Sequence, residues 1–160
     1  MPEISPATAL LFLREDELRL GFEQLFFAFR DLDAAADALL EQHGLARGHG
    51  RAIHFIGRAG RTTVSDLQIT LGLTLQSLGR LVRELIEQDL VTQQRGTEDR
   101  RQRILALTEA GRVLEGRIWA CQRGPIARAY RECGPQSVDG FRRVLAALAD
   151  IHRRSRGETE

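Results

Sequence analysis

Between Arg95 and Arg103 the sequence RGTEDRRQR carries four arginines, Arg95, Arg100, Arg101 and Arg103, with Glu98 and Asp99 set among them. Such a cluster does one kind of chemistry well. It presents planar, permanently charged forks that pair in bidentate fashion with phosphate oxygens or with the O6/N7 edge of guanine. The concentration is local, because 23 basic and 22 acidic residues leave the whole chain at a formal net charge of +1. Every one of the basic residues is arginine. Codon bias in a GC-rich genome suffices to produce that, and the consequence is the same either way: each cationic contact is a guanidinium contact.

Other chemistries find no support in the residue spacing. No nucleophile stands with a nearby base, and neither a Gly-rich phosphate loop nor an HExxH pattern occurs, so the chain does not read as an enzyme and no cofactor is expected. His43, His49 and His54 are six and five residues apart, whereas ligands sharing a helical face need spacings of three or four, so no metal site is expected. Cys121 and Cys133 make neither a disulfide framework nor a metal pattern, which fits a reducing cytoplasm, and neither has a thiolate-stabilising context. The N-terminal stretch has no basic n-region, and its apolar piece is broken by Arg14, Glu15 and Asp16, so no secretory signal is expected. No apolar run approaches the roughly 18 residues of a membrane span.

The elements that must hold the arginines are mostly helical. At 160 residues and 42% hydrophobic content the chain has the size of one globular domain, with or without helical appendages. From Thr8 to about Phe29, Leu11, Leu18, Phe22, Leu25, Phe26 and Phe29 recur at spacings that predict a long amphipathic helix. Asp31 to Gly44 reads as a second, Ala-rich helix, and Arg47 to Gly60 as a third, contributing Ile53, Phe55 and Ile56. Thr63, three residues before Asp66, opens a short helix that Gly72 closes. Thr74 then caps another helix, in which Leu78, Leu81, Val82, Leu85 and Ile86 form one buried stripe while Gln76, Gly79, Arg80, Arg83, Glu84 and Glu87 fall opposite. Two helices joined by a tight Gly-containing turn are a helix-turn-helix candidate, although any αα-hairpin in a bundle gives the same pattern. The next segment of the chain distinguishes them. Leu90 to Arg95 and Arg101 to Thr108 are short β-type runs around a polar turn, with Leu105 and Leu107 on one face and Ile104 and Ala106 on the other. A helix-turn-helix succeeded by a β-hairpin is a winged arrangement.

Asp99, Arg101, Leu105, Leu107, Thr108 and Gly111 fit D-x-R-x-x-x-L-x-L-T-x-x-G. This resembles the wing signature of the multiple-antibiotic-resistance repressor (MarR) family of bacterial transcription regulators, and TVSDLQITLGLTLQSLGRLVRELIEQDLV resembles that family's helix-turn-helix. The stretch LLFLREDELRLGFEQLFFAFRDL is also similar to a subset of these regulators from photosynthetic and related proteobacteria. The resemblance implies a mainly α fold with a small β-hairpin (α+β). A winged helix-turn-helix would occupy residues 47–111, between N-terminal dimerisation and linking helices (1–46) and C-terminal dimerisation helices (112–160). It implies a cytoplasmic, nucleoid-associated homodimer that binds double-stranded operator DNA, with a small-molecule effector as a further partner. The alternative is a winged-helix protein-interaction module without specific DNA binding, against which the arginine-rich wing argues.

Physical reasoning assigns roles to the matching residues. A wing tip beside the recognition helix reaches the minor groove, whose enhanced negative potential over A·T-rich DNA favours an inserted arginine. Arg101 takes that place by resemblance, with Asp99 expected to hold its guanidinium in position. Arg95, Arg100 and Arg103 would meet phosphates. On the recognition helix Leu75 suits a thymine methyl, Gln76 an adenine and Arg80 a guanine, with Thr74 and Ser77 placed for phosphates. Leu75, Gly79 and Arg83 depart from what the family usually carries at those positions, which leaves the operator sequence open; Arg83 stays among the expected DNA contacts. A ligand pocket implied by the resemblance would draw on Phe26, Phe27, Arg51, His54 and Phe55, although phenylalanines at helical spacing are commonly plain core.

The flanks bear on assembly. Val113, Leu114, Ile118 and Cys121 share a helical face, Gly124-Pro125 is expected to kink or end that helix, and Cys133-Gly134-Pro135 reads as a helix break. Val138, Phe141, Val144, Leu145, Leu148 and Ile151 mark a final amphipathic helix. Three outlying amphipathic helices exceed what one small winged domain can cover, and a twofold partner would bury them.

Overall fold

The computed structural model describes residues 11–97 and 99–155. Thr8 to Leu10 of the first expected helix, and Glu98, lie outside the described residues. The chain divides into two compact units, Met1–Gln122 and Arg123–Glu160.

In the first unit, a single 3-10 turn (Leu11–Leu13) precedes helix α1 (Glu15–Ala34), whose first turn carries Glu15, Asp16 and Glu17, where acids complement the helix dipole. Asp31 to Ala34 belong to α1, so the expected second helix shrinks to α2 (Asp37–Gln42). Local Ala content gives no signal for that division. In the last turn of α1, the buried Asp33 carboxylate receives the Arg51 guanidinium from α3 (Arg47–Ala59) at 3.1 and 2.6 Å. Arg47 Nε donates to Asp37 at 2.8 Å one step along, so α3 is tied to both sides of the bend.

After α3 the chain enters strand β1 (Thr62–Thr63), then α4 (Val64–Leu71), α5 (Leu75–Glu87), β2 (Val91–Arg95), β3 (Arg103–Leu107) and α6 (Glu109–Ser155). The sheet has three antiparallel strands in the order β1-β3-β2 rather than the two of a bare hairpin. Thr62 pairs with Leu105 and Thr63 with Ile104. A two-residue strand has no periodicity to read, and Thr63 serves at once as strand residue and as N-cap of α4. Its hydroxyl accepts the Asp66 amide at 3.0 Å and donates to the Asp66 carboxylate at 2.7 Å. The wing strands pair from Val91↔Leu107 to Arg95↔Arg103. That register buries Leu105 and Leu107 and leaves Ile104 and Ala106 half-buried on the other face.

The core is one cluster: Ile53 and Ile56 from α3, Leu67 from α4, Leu78 and Leu85 from α5, Val91 and Leu105 from the sheet, and Leu114 and Ile118 from α6. Ile86, expected in the buried stripe, is exposed, because the core closes over Leu78, Leu81, Val82 and Leu85 and stops short of its face. Phe55 likewise points away from the core that Ile53 and Ile56 fill.

Helix α6 does not end at Gly124-Pro125, which keep helical backbone angles. The break falls at Gly134 (φ 77°, ψ 170°), where Pro135 can start a new helix without needing an amide partner. In the second unit, the Arg142 guanidinium lies 5.7 Å from the Tyr130 ring centre, reaching back across that break. Arg143 pairs with Asp139 at 3.1 Å.

Gly111 shows why the end of the wing motif needs a glycine. It is buried one turn into α6, and a Cβ there would overlap the Leu90 carbonyl oxygen. Gly111→Ala must therefore push the start of α6 away from the end of α5. The expected outcome is a loss of about 1–3 kcal/mol in a urea unfolding titration, the range for inserting a methyl into a packed site. Wild-type stability in that variant would mean the approach is not tight.

Candidate nucleic-acid interface

The turn between α4 and α5 is set by its ends. Gly72 closes α4 in the left-handed conformation (φ 63°), and Thr74 caps α5 by accepting the Ser77 amide at 3.2 Å. The Thr74 hydroxyl also donates to Ser77 Oγ at 2.9 Å, so this pair is engaged in the cap as well as lying on the outer surface. With Leu78, Leu81, Val82 and Leu85 turned inward, helical geometry forces Leu75, Gln76, Ser77, Arg80 and Arg83 outward, and all five are exposed. Leu75 is 63% exposed, unusual for a leucine on a helix whose other face is core.

The wing closes through Gly96 N–H donating to Gln102 O at 3.0 Å and Gln102 N–H to Asp99 O at 3.1 Å. Strand β3 starts only at Arg103, so Arg100 and Arg101 sit in the turn itself. Asp99 does not hold the Arg101 guanidinium. Its carboxylate accepts the backbone N–H of Arg101 at 2.9 Å, as Asp commonly does two residues ahead in a turn. The acid therefore shapes the turn rather than holding the arginine side chain. Among the described residues, the guanidiniums of Arg95, Arg100, Arg101 and Arg103 have no ion-pair partner, and neither has that of Arg83. A groove of about 290 Å³ runs between the start of α4 and the wing, lined by Arg61, Asp66, Asp99 and Gln102 among others. Nothing in the sequence singles out Arg61, one of many arginines between helices.

Arg80 differs from the wing arginines. Its Nε donates to Glu84 Oε1 at 2.8 Å one turn along α5, and Glu84 Oε2 meets His49 Nε2 of α3 at 2.7 Å. The bond from Arg80, then that from His49, holds the Glu84 carboxyl below its ordinary range, and Glu84 raises the Arg80 pKa in turn. The i,i+4 spacing of Arg80 and Glu84 is legible in the sequence. His49, 35 residues away from Glu84, is not.

Four of the five residues expected around a ligand form two pairs, and the fifth, Arg51, is engaged elsewhere. Phe26 and Phe27 are both exposed on α1, edge to face at 5.5 Å. His54 and Phe55 meet at 5.3 Å on α3, and His54 Nδ1 lies 3.2 Å from Glu115 with the Trp119 ring 5.9 Å away. Arg51 is committed to Asp33, with the Phe29 ring centre 5.4 Å from its guanidinium. Trp119 and Glu115 carry no signal in the sequence because α6 reaches His54 only through the tertiary fold.

Comparison with known proteins gives a consistent picture. Residues 43–102 match the model of the MarR family. The HTH-type transcriptional regulator PetP of Rhodobacter capsulatus is 49% identical over 141 residues, covering 88% of this chain and 85% of that protein. Among solved structures, NadR in complex with 4-hydroxyphenylacetate superposes with a TM-score of 0.71 at 23% identity, covering 80% of this chain and 91% of that one. Streptococcus pneumoniae FabT in complex with DNA gives a TM-score of 0.72 at 18% identity, covering 86% and 98%. At these identities the solved structures show a shared fold.

The Glu84 network has a pH signature. In a carboxyl-detected NMR titration, the Glu84 midpoint should lie below the ordinary 4.5 and move up toward it in Arg80→Ala. Because the folded-state pKa is depressed, the stabilising contribution is present above the unfolded value and is lost as pH falls through the folded one. A wild-type midpoint at or above the ordinary value would dissolve the network.

Proposed function

The chain belongs to the MarR family, and from that premise we propose that it is a sequence-specific DNA-binding transcription regulator, a repressor acting as a homodimer on a palindromic operator. The observation that carries this reading is the pairing of two exposed, chemically matched surfaces on one unit. The outer face of α5 offers Leu75, Gln76, Arg80 and Arg83, and the wing turn offers Arg100 and Arg101 without ion-pair partners among the described residues. Laid in the major groove, α5 reads base edges while the adjacent wing puts Arg101 into the minor groove. Arg95, Arg100 and Arg103, with Thr74, Ser77 and Arg83, meet the backbone. Asp99 contributes by fixing the wing turn.

Residues 47–111 are the DNA-binding domain in this reading, and the segments on either side mediate dimerisation. Support comes from the apolar surface that α1 leaves uncovered, where Leu18, Phe22, Leu25, Phe26 and Phe29 are all exposed, Phe22 to 72%. Phe141, Val144, Leu148 and Ile151 are likewise exposed on the last helical stretch. A twofold dimer presents two recognition helices, which makes a palindromic operator the matching target. Among the described residues no helix is long and apolar enough to cross a membrane; we place the protein in the cytoplasm, with the nucleoid.

A small ligand would release the dimer from DNA. That a neighbour in fold was solved with 4-hydroxyphenylacetate supports an aromatic or anionic effector, and His54, Phe55, Arg51, Phe26 and Phe27 are the proposed contacts. Because Arg51 is held by Asp33, an anionic ligand there must compete with a carboxylate already in place.

The test is binding to duplexes selected from genomic fragments, followed by fluorescence anisotropy. Kd should rise steeply with salt, as counterion release demands. Arg101→Ala should weaken binding on the order of tenfold with an unchanged Tm, and wild-type affinity in that variant would sink the minor-groove assignment. Gln76→Ala should alter which bases are preferred, whereas Arg100→Ala should weaken all sequences alike and flatten the salt slope by about one. If competition with base-substituted duplexes cannot tell these two variants apart, the division into base and phosphate contacts is wrong.

A further inference from the structure

We propose that Glu84 and His49 are positioning residues that aim Arg80 at a guanine, making one element of the operator preference depend on a side chain of α3 that never touches DNA. The inference rests on the reading of α5 as the recognition helix. Its physical content is a chain of directional bonds running from backbone to DNA-facing surface. The chain starts at the beginning of α3, where no side chain caps the helix from Ala46. Instead the Ala46 N–H donates to His49 Nδ1 at 3.0 Å. A ring nitrogen that accepts a hydrogen bond carries no proton, so the imidazole proton sits on Nε2 and points at Glu84 Oε2, 2.7 Å away. Glu84 Oε1 then accepts Arg80 Nε at 2.8 Å.

Each link removes a freedom from the next. His49 is only 12% exposed and cannot swing, which fixes where the Glu84 carboxylate lies. Glu84 would otherwise be a flexible acid on a helix surface, and an Arg–Glu pair between exposed neighbours is worth little. Anchored from behind, it holds one edge of the Arg80 fork through Nε. The two amino groups of Arg80 have no partner among the described residues and project outward, with the side chain 82% exposed. Those amino groups are the end of the fork that pairs with guanine O6 and N7. A long arginine normally loses side-chain entropy on ordering at an interface; here the fork is ordered before DNA arrives, which favours the one base geometry it matches. The same bonds hold the Glu84 pKa below and the Arg80 pKa above their ordinary values, so both partners stay charged.

The experiment is parallel selection from one pool of random-sequence duplexes by the purified wild type, Arg80→Ala, Glu84→Ala and His49→Ala, with Tm recorded for each. The wild type should select guanine at one symmetric pair of positions by on the order of tenfold, and Arg80→Ala should lose that preference. Glu84→Ala and His49→Ala should cut it at the same positions to about threefold or less, leave the other positions as in the wild type, and add nothing when combined with Arg80→Ala. A merely structural role would lower affinity for every sequence alike, and that result overturns the proposal. Full guanine preference in Glu84→Ala and His49→Ala, with loss only in Arg80→Ala, overturns the positioning role while the reading of α5 stands. If Arg80→Ala changes no position, both Arg80's base contact and this inference fall. Should His49→Ala fold poorly after losing its cap, Glu84→Ala alone decides.

Discussion

The geometry of the surface proposed to face DNA depends on one small clasp where α5, the wing and α6 meet. The chain leaves α5 through Asp89, held at a positive φ of 57°, and Leu90 then offers its carbonyl to the Thr108 N–H at 3.1 Å. The Thr108 hydroxyl donates to Asp89 O at 2.6 Å and accepts the Gly111 N–H at 2.9 Å, so one side chain satisfies an exit carbonyl of α5 and an orphan amide at the start of α6. Gly111 is there because Leu90 O occupies the space a Cβ would need. A wing and a recognition helix can address two grooves at once only if their separation is fixed. These bonds fix it, since the wing begins at Val91 and returns at Leu107 on either side of the clasp.

The second organising constraint is where guanidinium charge is neutralised. Arginines that tie the scaffold together are paired: Arg51 with buried Asp33, Arg47 with Asp37, Arg112 with Glu109. Those of the wing have no ion-pair partner among the described residues. The near-zero net charge therefore describes the sum and not the surface a polyanion would meet. Asp99 fits the same logic, since its carboxylate is spent on the Arg101 amide. An acid used for backbone geometry costs the wing some positive potential but does not itself engage the arginine side chain. Arg80 stands between the two regimes, one edge paired and the other open.

Much of this is legible in the sequence because it is local. Apolar spacing locates α3, α5 and both wing strands, and end signals locate α4. Thr63, Gly72 and Thr74 mark helix ends through short-range hydrogen bonds and one left-handed glycine, and the wing turn is marked by its composition. Most features that spacing misses need a partner distant in sequence. Arg51 anchors Asp33 in the last turn of α1, Thr62 becomes a strand only because Leu105 lies alongside, and Ile86 is exposed because the core runs out. Pro125 stays inside a helix that the Gly124-Pro125 dipeptide is expected to interrupt, whereas the break expected at Cys133-Gly134-Pro135 does fall at Gly134.

The sequence by itself determined the family and the winged architecture, and it supplied the residues proposed for DNA, since periodicity, caps and a spaced motif are properties of neighbours along the chain. Only the tertiary structure decided what those residues are free to do. That Arg51 is already engaged with Asp33 and that His49 stands behind Glu84 depend on side-chain atoms brought within about 3 Å by packing. Hydrogen bonding falls off too steeply with distance and angle for composition or spacing to foretell which pairs will form.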